Sequence, residues 1–341
     1  MKLRCLLVGF SVTAQGFGEK LKSKIEILHT NIVFEHVALG GCHPSGLVYL
    51  IDQILTRRNC DIIIFEIFTS AFRNNASDLT SAVSPFYILS QKAIHRGLKV
   101  IFLNLPRRDV NPFHDSISDH VRLSIGRTGA KFLDISALAY NHFSKDFMWQ
   151  HFFLRDGFDA HPTAENEEWL VDQAASKLAD CLKIPNENPH PLNEHLPVLS
   201  SVEFSSISTG ETVEFTRHNF CITCLELKGG EEISLKFDET YICGISYLSW
   251  PRAGTIILRG NDFDIDIQCF DQWSYYDRLS YKLFSPVKTG TLSVYQHSAI
   301  PSVALIKGVK STEARIGLLA TIFTTSNPYY DIDEIKNVHA S

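Results

Sequence analysis

The residues of this chain that can do chemistry stand just after short apolar runs. Ser11 lies in Gly9-Phe10-Ser11-Val12-Thr13, directly behind the first run. A serine at a strand-to-helix turn holds its hydroxyl beside the unpaired N–H groups of the following helix N-terminus. The same amides can stabilise the oxyanion that an attacking serine creates, so Ser11 reads as a nucleophile; the plainer reading is a helix cap. Near the other end of this half, His161 in Asp159-Ala160-His161-Pro162-Thr163 precedes a helical stretch. Imidazole suits proton transfer near neutrality, and a carboxylate close by in the chain can orient it. Read alone, His161 is more often an ordinary surface or core histidine.

Two further motifs belong to the same pattern. Gly40-Gly41 follows the second apolar run. Paired glycines let the backbone approach a ligand closely and supply an oxyanion amide, or they simply form a tight turn. After the third run comes Glu66-Ile67-Phe68-Thr69-Ser70, with Arg73, Asn74 and Asn75 beyond. Polar side chains there can line the same cleft. Glu66 is the oddity, because an unpaired buried carboxylate is costly; a structural pairing is expected, with Arg73 one partner in reach.

The elements that must position these groups follow from hydrophobic patterning. Apolar runs at 3–8, 32–39, 61–67, 98–105 and 130–135 are strand-length and rich in Val, Ile, Leu and Phe. Such runs suit parallel strands covered on both faces. Amphipathic segments at 18–28, 45–56, 78–96, 114–127 and 163–182 separate or follow them. The alternation predicts an α/β doubly wound parallel sheet over residues 1–182. Ligands in such sheets bind at the carboxyl ends of the strands, near the switch point.

Residues 183–200 are proline-rich and aperiodic, which predicts a linker. Beyond it, short strand-like runs at 212–215, 221–227, 232–237, 242–248, 254–258, 263–269, 281–284, 291–295, 303–307 and 314–321 are punctuated by Gly, Asp, Asn and Pro. They predict an all-β sandwich or jelly-roll domain over 201–326, followed by a frayed tail at 327–341. Aromatic clusters at 247–250 and 270–276 read as core, or as a surface for stacking on sugar rings. Cys221 and Cys224, with Cys243 and Cys269 further on, have no second Cys-x-x-Cys pair, so no metal site is expected.

Of 341 residues, 45% are hydrophobic and 21% charged, which excludes disorder or coiled coil for the chain as a whole. The net charge of −6 argues against a nucleic-acid partner. No run is long enough for a membrane span. No export signal is read at the N-terminus, and the eight scattered cysteines fit a reducing compartment, so a cytoplasmic location is expected.

Taken together, the blocks resemble the SGNH (GDSL-like) hydrolase superfamily over residues 1–182. That family carries a Gly-x-Ser block after the first strand, a glycine block after the second, an Asn block after the third and an Asp/His block before the last helix. Gly9-Phe10-Ser11 resembles the first, with Phe10 where the family has Asp; Gly40 or Gly41 matches the second. Ser70, or alternatively Asn74, stands where the family places Asn. The usual acid three residues before the histidine is replaced by Phe158, which leaves Asp159 or Asp156.

The resemblance implies that the α/β doubly wound sheet is flavodoxin-like. It implies a serine esterase that needs no cofactor, with Ser11 as nucleophile, His161 as base and Asp159 (or Asp156) as the orienting acid. It also implies an oxyanion hole built from Ser11, Gly40, Gly41 and Ser70 (or Asn74), and a carbohydrate carrying O-acyl groups, O-acetyl first, as substrate. Two alternatives remain: an O-acyltransferase of polysaccharide biosynthesis using the same residues, and a carbohydrate-binding protein that has lost catalysis.

Overall fold

The computed structural model describes residues 2–71, 79–155, 159–183, 198–204 and 210–326. Arg73, Asn74, Asp156, most of the expected linker and the tail from 327 lie outside the described residues. What is described forms two compact units, 2–183 and 198–326.

The first unit runs β1 (Leu3–Gly9), α1 (Gly18–Leu28), β2 (Ile32–Ala38), α2 (Pro44–Thr56), β3 (Ile62–Glu66), α3 (Leu79–His95) and β4 (Lys99–Asn104). It continues through α4 (Ser116–Gly126), β5 (Lys131–Asp134), α5 (Ile135–His142), α6 (Lys145–Gln150) and α7 (Ala164–Lys183). The five strands are parallel in the order β2-β1-β3-β4-β5, the flavodoxin-like arrangement. Cys5, Leu7, Ile64, Ile101 and Leu103 point into a core shared with α1, α5 and α7. The alternate residues Leu6, Val8, Ile63, Phe65 and Phe102 are buried on the opposite face. There Phe65 stacks on Phe102 at 5.1 Å, and Phe68 packs on Phe86 at 4.5 Å.

Two features of this frame position the site. First, the ladder pairs Gly9 with Ala38 on one side and with Glu66 on the other. The carboxyl ends of β1, β2 and β3 are therefore level, and whatever follows them shares one edge. Secondly, α1 and α7 pack together although they stand at opposite ends of the unit's sequence. Leu21 and Ile25 of α1 share a core with Leu170, Ala174 and Leu178 of α7. Lys20 reaches Glu167 at 2.5 Å and Glu168 at 2.7 Å, and Lys24 reaches Asp172 at 2.7 Å. Such exposed pairs add little, so burial of the apolar stripe carries the contact.

α5 and α6 are not among the helices expected from the sequence pattern, although both carry side-chain caps. Asp134 accepts from Ala137 N at 2.9 Å and Ser144 from Phe147 N at 3.1 Å.

The second unit is an antiparallel sheet of eight strands: β6 (Leu199–Glu203), β7 (Thr212–Arg217), β8 (Phe220–Lys228), β9 (Glu232–Ser249), β10 (Thr255–Arg259), β11 (Asp264–Gln268), β12 (Arg278–Gln296) and β13 (Ile316–Thr325). Two of the expected turns are bulges inside long strands. Register shifts between Leu283 and Val287, and between Thr289 and Thr291, let β9 and β12 continue past Pro286 and past Asp238-Glu239. The expected strand at 303–307 is instead irregular, with Ile306 N–H donating to Gln272 O at 2.9 Å. The sheet curls on itself: a methyl group on Gly317 of β13 would meet Ile256 of β10 at 3.2 Å, although two strands separate them in the ladder.

Cys221 and Cys224 lie on opposite faces of β8, as residues three apart in a strand must. Among the described residues, no group of His, Cys, Asp and Glu side chains is arranged to hold a metal ion.

Candidate active site

β1 ends at Gly9, where a side chain is impossible: a Cβ would collide with Thr13 and sit 3.1 Å from Glu66 O. The chain then turns at once. Ala14 N–H donates to Phe10 O at 2.9 Å, and a π-helical turn over Thr13–Phe17, with Gly16 at φ +138°, leads into α1. Phe10 is fully buried and serves as core.

Ser11 does not cap this turn: Val12 and Phe17 occupy the cap positions of the π-turn and of α1, neither with a side-chain cap bond. The Ser11 hydroxyl instead lies 3.1 Å from His161 Nε2. On the other side of the ring, His161 Nδ1 lies 2.6 Å from Asp159 Oδ1. A carboxylate only accepts, so Nδ1 carries the proton and Nε2 is left to accept from Ser11. The chain Ser11–His161–Asp159 thus spans 150 residues of sequence, brought together by the pairing of α1 with α7.

The Asp159 carboxylate is fixed from several directions. Its Oδ1 also accepts from His161 N at 3.1 Å, and its Oδ2 from Arg155 N at 2.8 Å. Its backbone carbonyl accepts from Arg108 N at 2.9 Å. A short antiparallel closure holds the loop, with Leu154 N–H on His161 O at 2.8 Å and Thr163 N–H on Phe152 O at 2.9 Å. Asp159 is 8% exposed, a dry setting in which the bond to the ring is strong. Among the described residues, Asp159 is the carboxylate on His161; Asp156 lies outside them.

Gly40, Gly41 and Ser70 stand at the same edge, two, three and four residues past Ala38, Ala38 and Glu66. Gly41 has φ +90°, and Cys42 N–H closes the turn on Leu39 O at 2.9 Å. A methyl group at Gly40 would meet nothing within 4 Å, so this backbone faces open space. Ser70 ends the 3-10 turn Phe68–Ser70 and is half-buried. Asn74 lies outside the described residues.

Several groups around the site were not singled out from sequence. Arg107, nearly buried, donates to Thr69 O at 3.3 Å and Ala71 O at 2.7 Å, straddling Ser70, while Asp109 holds it at 2.7 Å. Arg108 donates to Arg155 O at 2.7 Å and packs over Trp149 at 4.9 Å. The only signal for either was a pair of cations directly behind the fourth strand. His43 is held neutral, its pKa pushed down to about 4 by burial and by the nearby Arg107. Glu66, with pKa raised to about 7 by burial, bonds two threonine hydroxyls. Arg73, the partner expected for it, lies outside the described residues.

The first unit has a flavodoxin-like α/β fold, and an antiparallel β unit follows it in the chain. Over its length the chain is similar to a two-domain esterase (CEX) active on acetylated mannans, co-crystallised with mannopentaose. The likeness has a TM-score of 0.63 at 12% identity and covers 97% of this chain and 92% of the other. A second crystal structure of a two-domain esterase (CEX) active on acetylated mannans gives a TM-score of 0.62 at 12% identity, covering 96% and 92%. No protein-family model matches the chain, and no curated protein sequence matches it.

Proposed function

We propose that the first unit is a serine esterase that removes O-acyl groups, O-acetyl above all, from a carbohydrate. The observation that carries this is the hydrogen-bonded chain Ser11–His161–Asp159, with spacings of 3.1 and 2.6 Å. His161 Nε2 takes the Ser11 proton as Oγ attacks the ester carbonyl, and Asp159 stabilises the imidazolium that forms. The N–H groups of Ser11 and of Gly40 or Gly41, with the Ser70 hydroxyl, stabilise the tetrahedral oxyanion. The imidazolium proton passes to the departing sugar oxygen, leaving an acyl-Ser11. Water, deprotonated by His161, then attacks the acyl carbonyl and releases the acid.

The carbohydrate substrate is supported by the likeness along the whole chain to the two-domain esterase active on acetylated mannans. A reducing working compartment, the cytoplasm, is supported by the thiols. Burial pushes Cys5, Cys42 and Cys224 up to about 12, which keeps them as protonated thiols.

The test is acetate release from an acetylated manno-oligosaccharide. Wild-type protein is expected to release acetate and Ser11→Ala is not; equal release by both contradicts the proposal. Mass spectrometry of the products with a second sugar present separates hydrolysis from transfer, since transfer moves the acetyl group to the added sugar without free acetate.

A further inference from the structure

Glu66 is the last residue of β3 and fully buried, yet no step above uses it. Its two carboxylate oxygens serve different segments. Oε2 accepts from Thr13 Oγ1 at 2.9 Å. Oε1 accepts from Thr69 Oγ1 at 2.6 Å. Thr13 stands two residues past Ser11, and Thr69 precedes Ser70. One side chain therefore holds both the turn that carries the nucleophile and the turn that carries a proposed oxyanion donor. From the far side of the Ser70 turn, Arg107 grips the carbonyls of Thr69 and Ala71.

Ordinary packing does not call for a carboxylate here. An apolar residue at this position would leave two buried hydroxyls without their acceptor, whereas a carboxylate offers each of them its own oxygen. Bonds to a carboxylate in a dry site are short and directional, so they fix the donors as well as satisfy them. We infer that Glu66 is a positioning residue that sets the spacing between the Ser11 turn and the Ser70 turn, so that nucleophile and oxyanion donor meet one carbonyl group. This rests on the roles given to Ser11 and Ser70 above. Site groups need placement to about 0.5 Å, and a 1 Å error costs about a hundredfold in rate.

Thr69→Val removes one hydroxyl at one end of the link with little change of volume, and Thr69→Ser keeps it. The expected result for Thr69→Val is a kcat lowered by about tenfold or more with KM within about threefold, while Thr69→Ser stays within about threefold of wild type in both. Hydrogen exchange of the peptide 9–17, at the other end of the link, should quicken in Thr69→Val and in Glu66→Gln but not in Thr69→Ser. Wild-type kcat in Thr69→Val overturns the inference. So does unchanged exchange at 9–17, because the role would then be confined to the Thr69 turn itself. If the wild-type protein shows no Ser11-dependent turnover, the esterase reading fails on its own, and the exchange data alone still uphold or overturn the link.

Discussion

One oxygen of Asp159 holds His161 by two bonds: Oδ1 accepts from the His161 backbone N–H at 3.1 Å and from the ring Nδ1–H at 2.6 Å. With a single residue between acid and base, the loop that places one places the other. The ring is thereby aimed with Nε2 at Ser11.

Replacing Asp159 by Asn should therefore damage catalysis more than folding. The amide can present its NH₂ to Nδ1 and select the wrong tautomer, so kcat is expected to fall by about 10²–10⁴ with KM little changed. Steady-state kinetics on an aryl acetate checks this, with thermal melting as the control for fold. A loss below about fivefold contradicts the role given to Asp159.

The proposed oxyanion donor at Ser70 has its own signature. Ser70→Ala should lower kcat by about ten- to a thousandfold while leaving Tm within a few degrees, because Ser70 is half-buried and the turn stays held by Arg107. An unchanged kcat removes Ser70 from the site.

Glu66 makes stability depend on pH in an unusual direction. Burial raises its carboxyl from 4.5 to about 7, so the folded protein binds a proton that the unfolded chain has already released. The stability this contributes is present in full below the unfolded pKa and is lost as pH rises through about 7. Glu66→Gln lacks that titration, so its stability relative to wild type should improve from pH 4 to pH 8, by on the order of 3 kcal/mol. Denaturant melts of both proteins across that range provide the check; a difference independent of pH contradicts the raised carboxyl.

The α1–α7 contact is expected to govern both stability and turnover. Leu178→Ala empties part of the core between these helices and should cost about 2–5 kcal/mol. Because the same contact brings His161 to Ser11, kcat should fall as well, measured well below the lowered Tm. Full kcat in a destabilised variant would show that the triad is held by its loops alone.

Much of the first unit was legible because its strands are covered on both faces and so read as unbroken apolar runs. The observed β1 to β5 fall within a residue or so of the runs at 3–8, 32–39, 61–67, 98–105 and 130–135. The short helices α5 and α6 escaped because six to eight residues hold too little periodicity, although Asp134 and Ser144 announced their caps. In the second unit, Pro286 and Asp238-Glu239 read as turns, whereas pairing across the sheet carries the strands through them as bulges. At the site, Ser11 and His161 stood out by residue type and place. The double grip of Glu66 did not, since a contact between Thr13 and Thr69 through one carboxylate depends on the register that sets Gly9 beside Glu66.

Activation of Ser11 by His161 and Asp159 is open to covalent capture. Treatment with a fluorophosphonate followed by peptide mass spectrometry should place one phosphonyl adduct on Ser11, with labelling lost in Ser11→Ala and strongly slowed in His161→Ala. Absence of an adduct on Ser11, or equal labelling with and without His161, contradicts that activation.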